Sequence, residues 1–174
     1  MSIAIARANA RRVFQEAGCS LPVDLDDVLG WHGLGLSREM GWPDRLCARY
    51  DPARREVKVN GRHRETRQRF SIAHELGHCV LGHEQVDIDH DITQIFGDED
   101  ESYDVAGDLE KEANSFAVEL LMPRAWVQKQ ATSRSTSELI ALIQNDCQVS
   151  ESAAWYRIME LRLAGFSSAP RRKR

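Results

Sequence analysis

The chain has 174 residues, 42% of them hydrophobic and 29% charged, and a formal net charge of −4. That length has room for one ordinary domain, and the composition is that of a globular protein rather than a disordered or collagen-like one. No stretch approaches the roughly 20 apolar residues of a bilayer-spanning helix, and the four scattered cysteines, Cys19, Cys47, Cys79 and Cys147, make neither a CxxC pair nor a disulfide framework.

Residues 2–17 carry Ile3, Ala6, Ala10, Val13 and Phe14 at helical spacing, with Arg7, Arg11 and Arg12 among them. This predicts an amphipathic first helix stopped at Gly18. It lacks the uninterrupted apolar run and cleavage site of a signal peptide, so the expected location is cytoplasmic. Asp24 is placed to cap a short helix ending near Gly30. Strand-like runs follow at 34–40, 46–50 and 56–60. The last two are joined by Asp51-Pro52-Ala53-Arg54-Arg55, which has turn chemistry. In Glu56-Val57-Lys58-Val59-Asn60 the valines alternate with polar residues, as in a half-buried strand. A small antiparallel three-stranded sheet is expected.

A helix then begins near Glu65 and carries Phe70, Ala73, Leu76, Gly77 and Val80. Residues 84–108 show no sustained period and read as a long loop, a feature that in compact domains is often functional. Twelve of the 27 acidic residues lie between 84 and 112, so the rest of the chain is mildly basic. Helical periodicity returns at 109–121 and stops at Pro123. After a polar run at 132–137, helices are expected at 137–146 and 151–163, with helix-turn-helix character across 147–150. The tail 167–174 is polar and basic and is expected to be disordered.

His74-Glu75-Leu76-Gly77-His78 is an H-E-x-x-H sequence inside a predicted helix. A four-residue step turns about 40° and rises about 6 Å, so both imidazoles project from one face and can grip one ion. Glu75 sits beside them as a general base. Two surface histidines on one helix face would give the same pattern, so the third ligand decides. A histidine at 84 after a glycine at 81 is excluded, because those positions are Glu84 and Leu81. His83 lies about half a turn from His74 and reaches the site only if the helix ends near Gly82. In Glu110-Lys111-Glu112-Ala113-Asn114-Ser115-Phe116-Ala117, the small Ala113 and Ala117 let the next helix come close, with Phe116 packed between. Glu112 is the preferred third ligand and Glu110 the alternative.

The block from Arg69 to His78, followed by Glu110 to Pro123 with Glu112-Ala113-Asn114-Ser115-Phe116-Ala117 and Leu120-Leu121-Met122-Pro123 inside it, resembles the ImmA/IrrE family of metallopeptidases. The match spans about residues 5–165. The resemblance implies Zn²⁺, with Mn²⁺ as a possible substitute, held by His74, His78 and Glu112, and Glu75 as catalytic base. It implies a protein substrate, a helix-turn-helix repressor of the phage-repressor type, cut to relieve repression under stress or in control of a mobile element. Longer relatives carry a sensor-like domain that this chain is expected to lack. The fold expected is α+β and zincin-like: mainly helical, with the small sheet and a C-terminal helix-turn-helix-like bundle. The domain plan is a metallopeptidase domain at 1–130, a helical subdomain at 131–166 and the tail at 167–174.

Two rival readings stand beside this one. One is a DNA-binding regulator with a structural metal; it is disfavoured because 151–163 offers Arg157 and Arg162 but also Glu151 and Glu160. The other is a metallopeptidase with a different protein substrate. Tyr103, His83 and His90 are candidates for stabilising an oxyanion, with none preferred. No membrane partner is implied, and the oligomeric state is open.

Overall fold

The computed structural model describes residues 2–83 and 105–163. The acidic loop up to residue 104 and the tail 167–174 therefore lie outside the described residues.

Helix α1 (Ile3–Glu16) begins where the Ser2 hydroxyl accepts from the Ile5 N–H, and it buries Ala6, Ala10 and Val13 as one stripe. Helix α2 (Leu25–Trp31) is capped by Asp24, whose carboxylate accepts from the Asp27 N–H. Three strands follow, β1 (Gly35–Glu39), β2 (Ala48–Asp51) and β3 (Glu56–Asn60), ordered β1-β3-β2. Val57 and Val59 of the central strand are fully buried, as the alternation predicts.

The sheet is mixed, which corrects the antiparallel expectation. β2 and β3 form an antiparallel hairpin, with Ala48 opposite Val59, but β1 runs parallel to β3, with Gly35 opposite Glu56. After β1 the chain crosses to the far edge and the hairpin returns β3 to the middle, which sets β3 in the direction of β1. Alternation reports which face of a strand is buried and says nothing of its direction.

The remaining elements are helices α3 (Glu65–Leu81), α4 (Val105–Leu121), α5 (Arg124–Ala131), α6 (Thr136–Cys147) and α7 (Glu151–Glu160). Helix α5 has no counterpart in the sequence reading. It starts directly after Pro123 and buries Val127 alone, so it leaves almost no periodic signal. Helix α6 opens with a capping box between Ser135 and Glu138, and α7 with Ser150 accepting from the Ala153 N–H. Between them Gln148 takes a left-handed conformation, φ 53°.

Helix α4 lies between α3 and α1. Its contact with α3 is close because position 77 is glycine: a Cβ there would stand 3.1 Å from Phe116 Cδ1 and 3.2 Å from the Ala113 carbonyl oxygen. On the other side, α7 is tied to α4 through Arg157, which is fully buried. Its Nε donates to the Met122 carbonyl at 2.9 Å, its Nη1 to Glu160 at 2.6 Å, and its Nη2 to Glu119. Arg7 of α1 pairs with Glu160, and Arg11 with Glu119 at 3.4 Å. All four cysteines are free, and burial pushes the Cys147 thiol up to about 12. Among the described residues no helix is long and apolar enough to cross a membrane.

Candidate metal centre

Helix α3 turns Phe70, Ala73, His74, Leu76, Gly77 and Leu81 into the core. The H-E-x-x-H spacing sets His74 and His78 edge to face, with ring centroids 4.7 Å apart and their Nε2 atoms at 3.0 Å. From α4, Glu110 closes a triangle: its Oε2 is 3.1 Å from His74 Nε2 and its Oε1 is 3.2 Å from His78 Nε2. Among the described residues these three form the group that could hold a metal ion.

The carboxylate meeting the histidine pair is thus Glu110, not the Glu112 preferred from the sequence. Glu112 Oε2 instead lies 3.1 Å from His83 Nε2. Two residues on a helix point about 200° apart, so both carboxylates cannot face the same place. The rotation of α4 is fixed by Ala113 packing on Gly77. Glu110 shares a face with Ala113, Asn114 and Ala117 at three- and four-residue steps, and that spacing was the signal available to choose it.

His83 joins the centre because α3 ends first. Gly82 adopts φ 67° and reverses the chain, so the His83 N–H donates to the His78 carbonyl at 3.0 Å. Its ring then returns toward the site, with Nδ1 3.0 Å from His78 Nδ1. On the other imidazole of the pair, His74 Nδ1 is 2.7 Å from Asn114 Oδ1. Asn114 had no role assigned from the sequence, although it lies one helical turn beyond Glu110. Glu75 points toward the sheet, where its Oε2 accepts from the Tyr50 N–H of β2 at 2.9 Å. Tyr103 and His90 lie outside the described residues.

The electrostatics follow from this crowding. Burial alone would raise the Glu110 carboxyl, but hydrogen bonds to His74 and His78, and their charges, hold it far below the usual carboxylate range. Burial pulls the His74 imidazole down, yet the hydrogen bond to Glu110 and the charges of Glu75 and Glu110 bring it above its ordinary value. Burial likewise lowers His83, and there it prevails over the raising effect of Glu112.

These donors fit a divalent cation. With Nδ1 donating to Asn114, neutral His74 presents a lone pair on Nε2, facing a second imidazole nitrogen and a carboxylate oxygen. Such convergence is repulsive unless a proton or a metal ion intervenes. Edges of 3.0 to 3.2 Å are close to the separation of about 3.3 Å expected between neighbouring donors of a tetrahedral ion with bonds of about 2.0 Å.

The model of the family described as Peptidase_M78, IrrE N-terminal-like domain, matches residues 36–159. A radiation response metalloprotease IrrE of Deinococcus deserti is 29% identical over 161 residues, covering 91% of this chain and 55% of that protein. The protein of the same name in Deinococcus radiodurans is 29% identical over 122 residues, covering 70% of this chain and 35% of that protein. This chain thus spans about half, or less, of the length of the curated relatives it matches. A solved structure described as a Mycobacterium tuberculosis transcriptional regulator superposes with a TM-score of 0.63 at 23% identity, over 90% of this chain and 47% of that chain. That likeness is one of fold.

Proposed function

This chain belongs to the Peptidase_M78 family, that of the IrrE N-terminal-like domain, and on that premise we propose that it is a cytoplasmic, zinc-dependent endopeptidase that cleaves a helix-turn-helix repressor. The observation that carries the hydrolytic reading is the triangle of His74, His78 and Glu110 beside Glu75, in a family named for peptidases. The substrate class rests on the resemblance of the paired sequence blocks to ImmA/IrrE peptidases, and the relatives' shared name, radiation response metalloprotease, is in keeping with a role in stress.

His74, His78 and Glu110 are the residues that would hold the ion. A bound Zn²⁺ would supply Lewis acidity toward a water and a peptide carbonyl; Mn²⁺ is an alternative. The chain's own groups do the proton work. With Oε2 anchored by the Tyr50 N–H, Glu75 has a fixed orientation, takes a proton from the attacking water and hands it to the leaving amine. Asn114 holds His74 in the tautomer whose Nε2 faces the centre.

The rival reading as a DNA-binding regulator loses support from α7. Arg157, one of the two cations it would offer to DNA, is spent inside the protein on Glu119 and Glu160.

The test is intact-mass analysis of a repressor encoded beside this protein, incubated with wild type or Glu75→Gln and Zn²⁺ or Mn²⁺. A single cut by wild type alone, with turnover lowered about 10²- to 10⁴-fold in the variant, is expected. A cut by both proteins would remove Glu75 as base. A cut by neither would turn the proposal toward a different protein substrate.

A further inference from the structure

The polar groups around the centre continue beyond its three converging atoms. His78 Nδ1 faces His83 Nδ1 at 3.0 Å, and the far nitrogen of His83, Nε2, faces Glu112 Oε2 at 3.1 Å. An ionised carboxylate only accepts, so in a neutral His83 the hydrogen sits on Nε2 and the lone pair on Nδ1. That lone pair takes the hydrogen on His78 Nδ1, which leaves His78 Nε2 with its lone pair directed at the centre. Each ring in the row thereby has its tautomer set by the group behind it.

The backbone holds the row in place. Gly82 turns the chain at φ 67°, and the His83 N–H is fixed on the His78 carbonyl at 3.0 Å. Glu112 comes from the helix that also supplies Glu110, so one rotation of α4 places both carboxylates, one at the centre and one behind His83. The two histidine ligands are therefore supported differently. His74 leans on the neutral amide oxygen of Asn114, and His78 leans through His83 on a carboxylate.

We propose that His83 and Glu112 form a positioning relay for His78, which fixes its tautomer and ring orientation. Both act through His78 and neither is itself a ligand. The inference rests on the metal centre proposed above. It assigns a role to the carboxylate that the sequence put forward as a ligand.

The test uses the full chain as wild type, Glu110→Ala, His83→Ala, Glu112→Ala, Glu112→Gln and the double variant His83→Ala/Glu112→Ala. Zn²⁺ affinity is measured by competition with a chromogenic chelator, and ligand geometry by the absorption spectrum of the Co²⁺-loaded protein. Melting of the metal-free proteins reports folding separately. His83→Ala and Glu112→Ala are expected to bind Zn²⁺ about 10- to 100-fold more weakly, with an altered Co²⁺ spectrum. The double variant should be no weaker than His83→Ala, because Glu112 acts through His83. Glu112→Gln, whose amide oxygen still accepts from His83, should recover most of the loss and the wild-type spectrum. If His83→Ala does not fold, the contrast between Glu112→Ala and Glu112→Gln carries the test.

Unchanged affinities and spectra, or losses that add in the double variant, would overturn the relay and leave the centre standing. A loss in both Glu112 variants as large as that in Glu110→Ala would make Glu112 a ligand, and would also overturn it. Failure of wild type to bind Zn²⁺ at all would strike the centre itself, and the relay with it.

Discussion

Helix α4 carries three carboxylates toward the interior, Glu110, Glu112 and Glu119, and the protein neutralises the first and the last by different means. Glu119 meets the fully buried Arg157, with Arg11 and the Arg124 N–H also on its Oε1. Its charge balance is supplied by the chain itself. Glu110, nine residues earlier and about half a turn round the helix, meets the Nε2 atoms of His74 and His78, whose charge depends on protons or on a metal. Burial of a charge is therefore no mark of function by itself. The functional mark is a set of converging donors whose balance has to come from outside the chain.

The sharpest way to break the comparison is to remove the cation that the chain supplies. Arg157→Ala leaves Glu119 buried beside a cavity, and a loss of about 3 to 5 kcal/mol is expected. Thermal denaturation should show a drop on the order of 10 °C that added Zn²⁺ does not reverse selectively. A variant that melts like wild type would mean that water replaces the guanidinium and that the cluster is not closed.

The second effect belongs to the other cluster. Zn²⁺ at 100 times its dissociation constant should stabilise the wild type by about 2.7 kcal/mol, an effect removed by a chelator. In Glu110→Ala the same addition should raise the melting temperature far less. Equal stabilisation of both proteins would place the ion elsewhere.

The smallest effect is that of pH on the metal-free protein. The Glu110 carboxyl is depressed on folding, so its contribution is present above the ordinary carboxylate value and is lost as pH falls through the folded value. His74 is raised on folding, so its contribution is present below the ordinary imidazole value and fades as pH rises through the folded one. Both hold together between the ordinary carboxylate and imidazole values, so the metal-free melting temperature should peak in that mildly acidic window. Arg157→Ala should keep this profile at a lower level, whereas Glu110→Ala should flatten it. A peak that survives Glu110→Ala would show that other groups set it.

Much of the local geometry of the site was legible before the fold. The four-residue step from His74 to His78 places two imidazoles on one helix face by backbone geometry alone, and the structure has them there. Ala113, Ala117 and Phe116 were read as a close helix contact, and a Cβ at Gly77 of α3 would indeed meet Phe116 and Ala113. The condition attached to His83, that the helix end near Gly82, is met at Leu81.

The misses have a common origin. Between Glu110 and Glu112 the choice depends on the rotation of α4 about its axis, which packing on α3 sets. The direction of β1 depends on where the hairpin docks, and α5 hides because Val127 is its single buried residue. Asn114 gained its role when α4 met α3 and brought its amide to His74.

The sequence by itself thus determined the local geometry: helix-spaced histidines, Glu75 beside them, the strands, the Asp24 cap and the small residues of the helix contact. Those follow from backbone periodicity and side-chain size, which act over a few residues. The tertiary structure alone decided which carboxylate meets the histidines, which one stands behind His83, and that Arg157 turns inward to Glu119. Those outcomes depend on how one helix rotates against another, and that rotation is set by summed packing across segments distant in the chain.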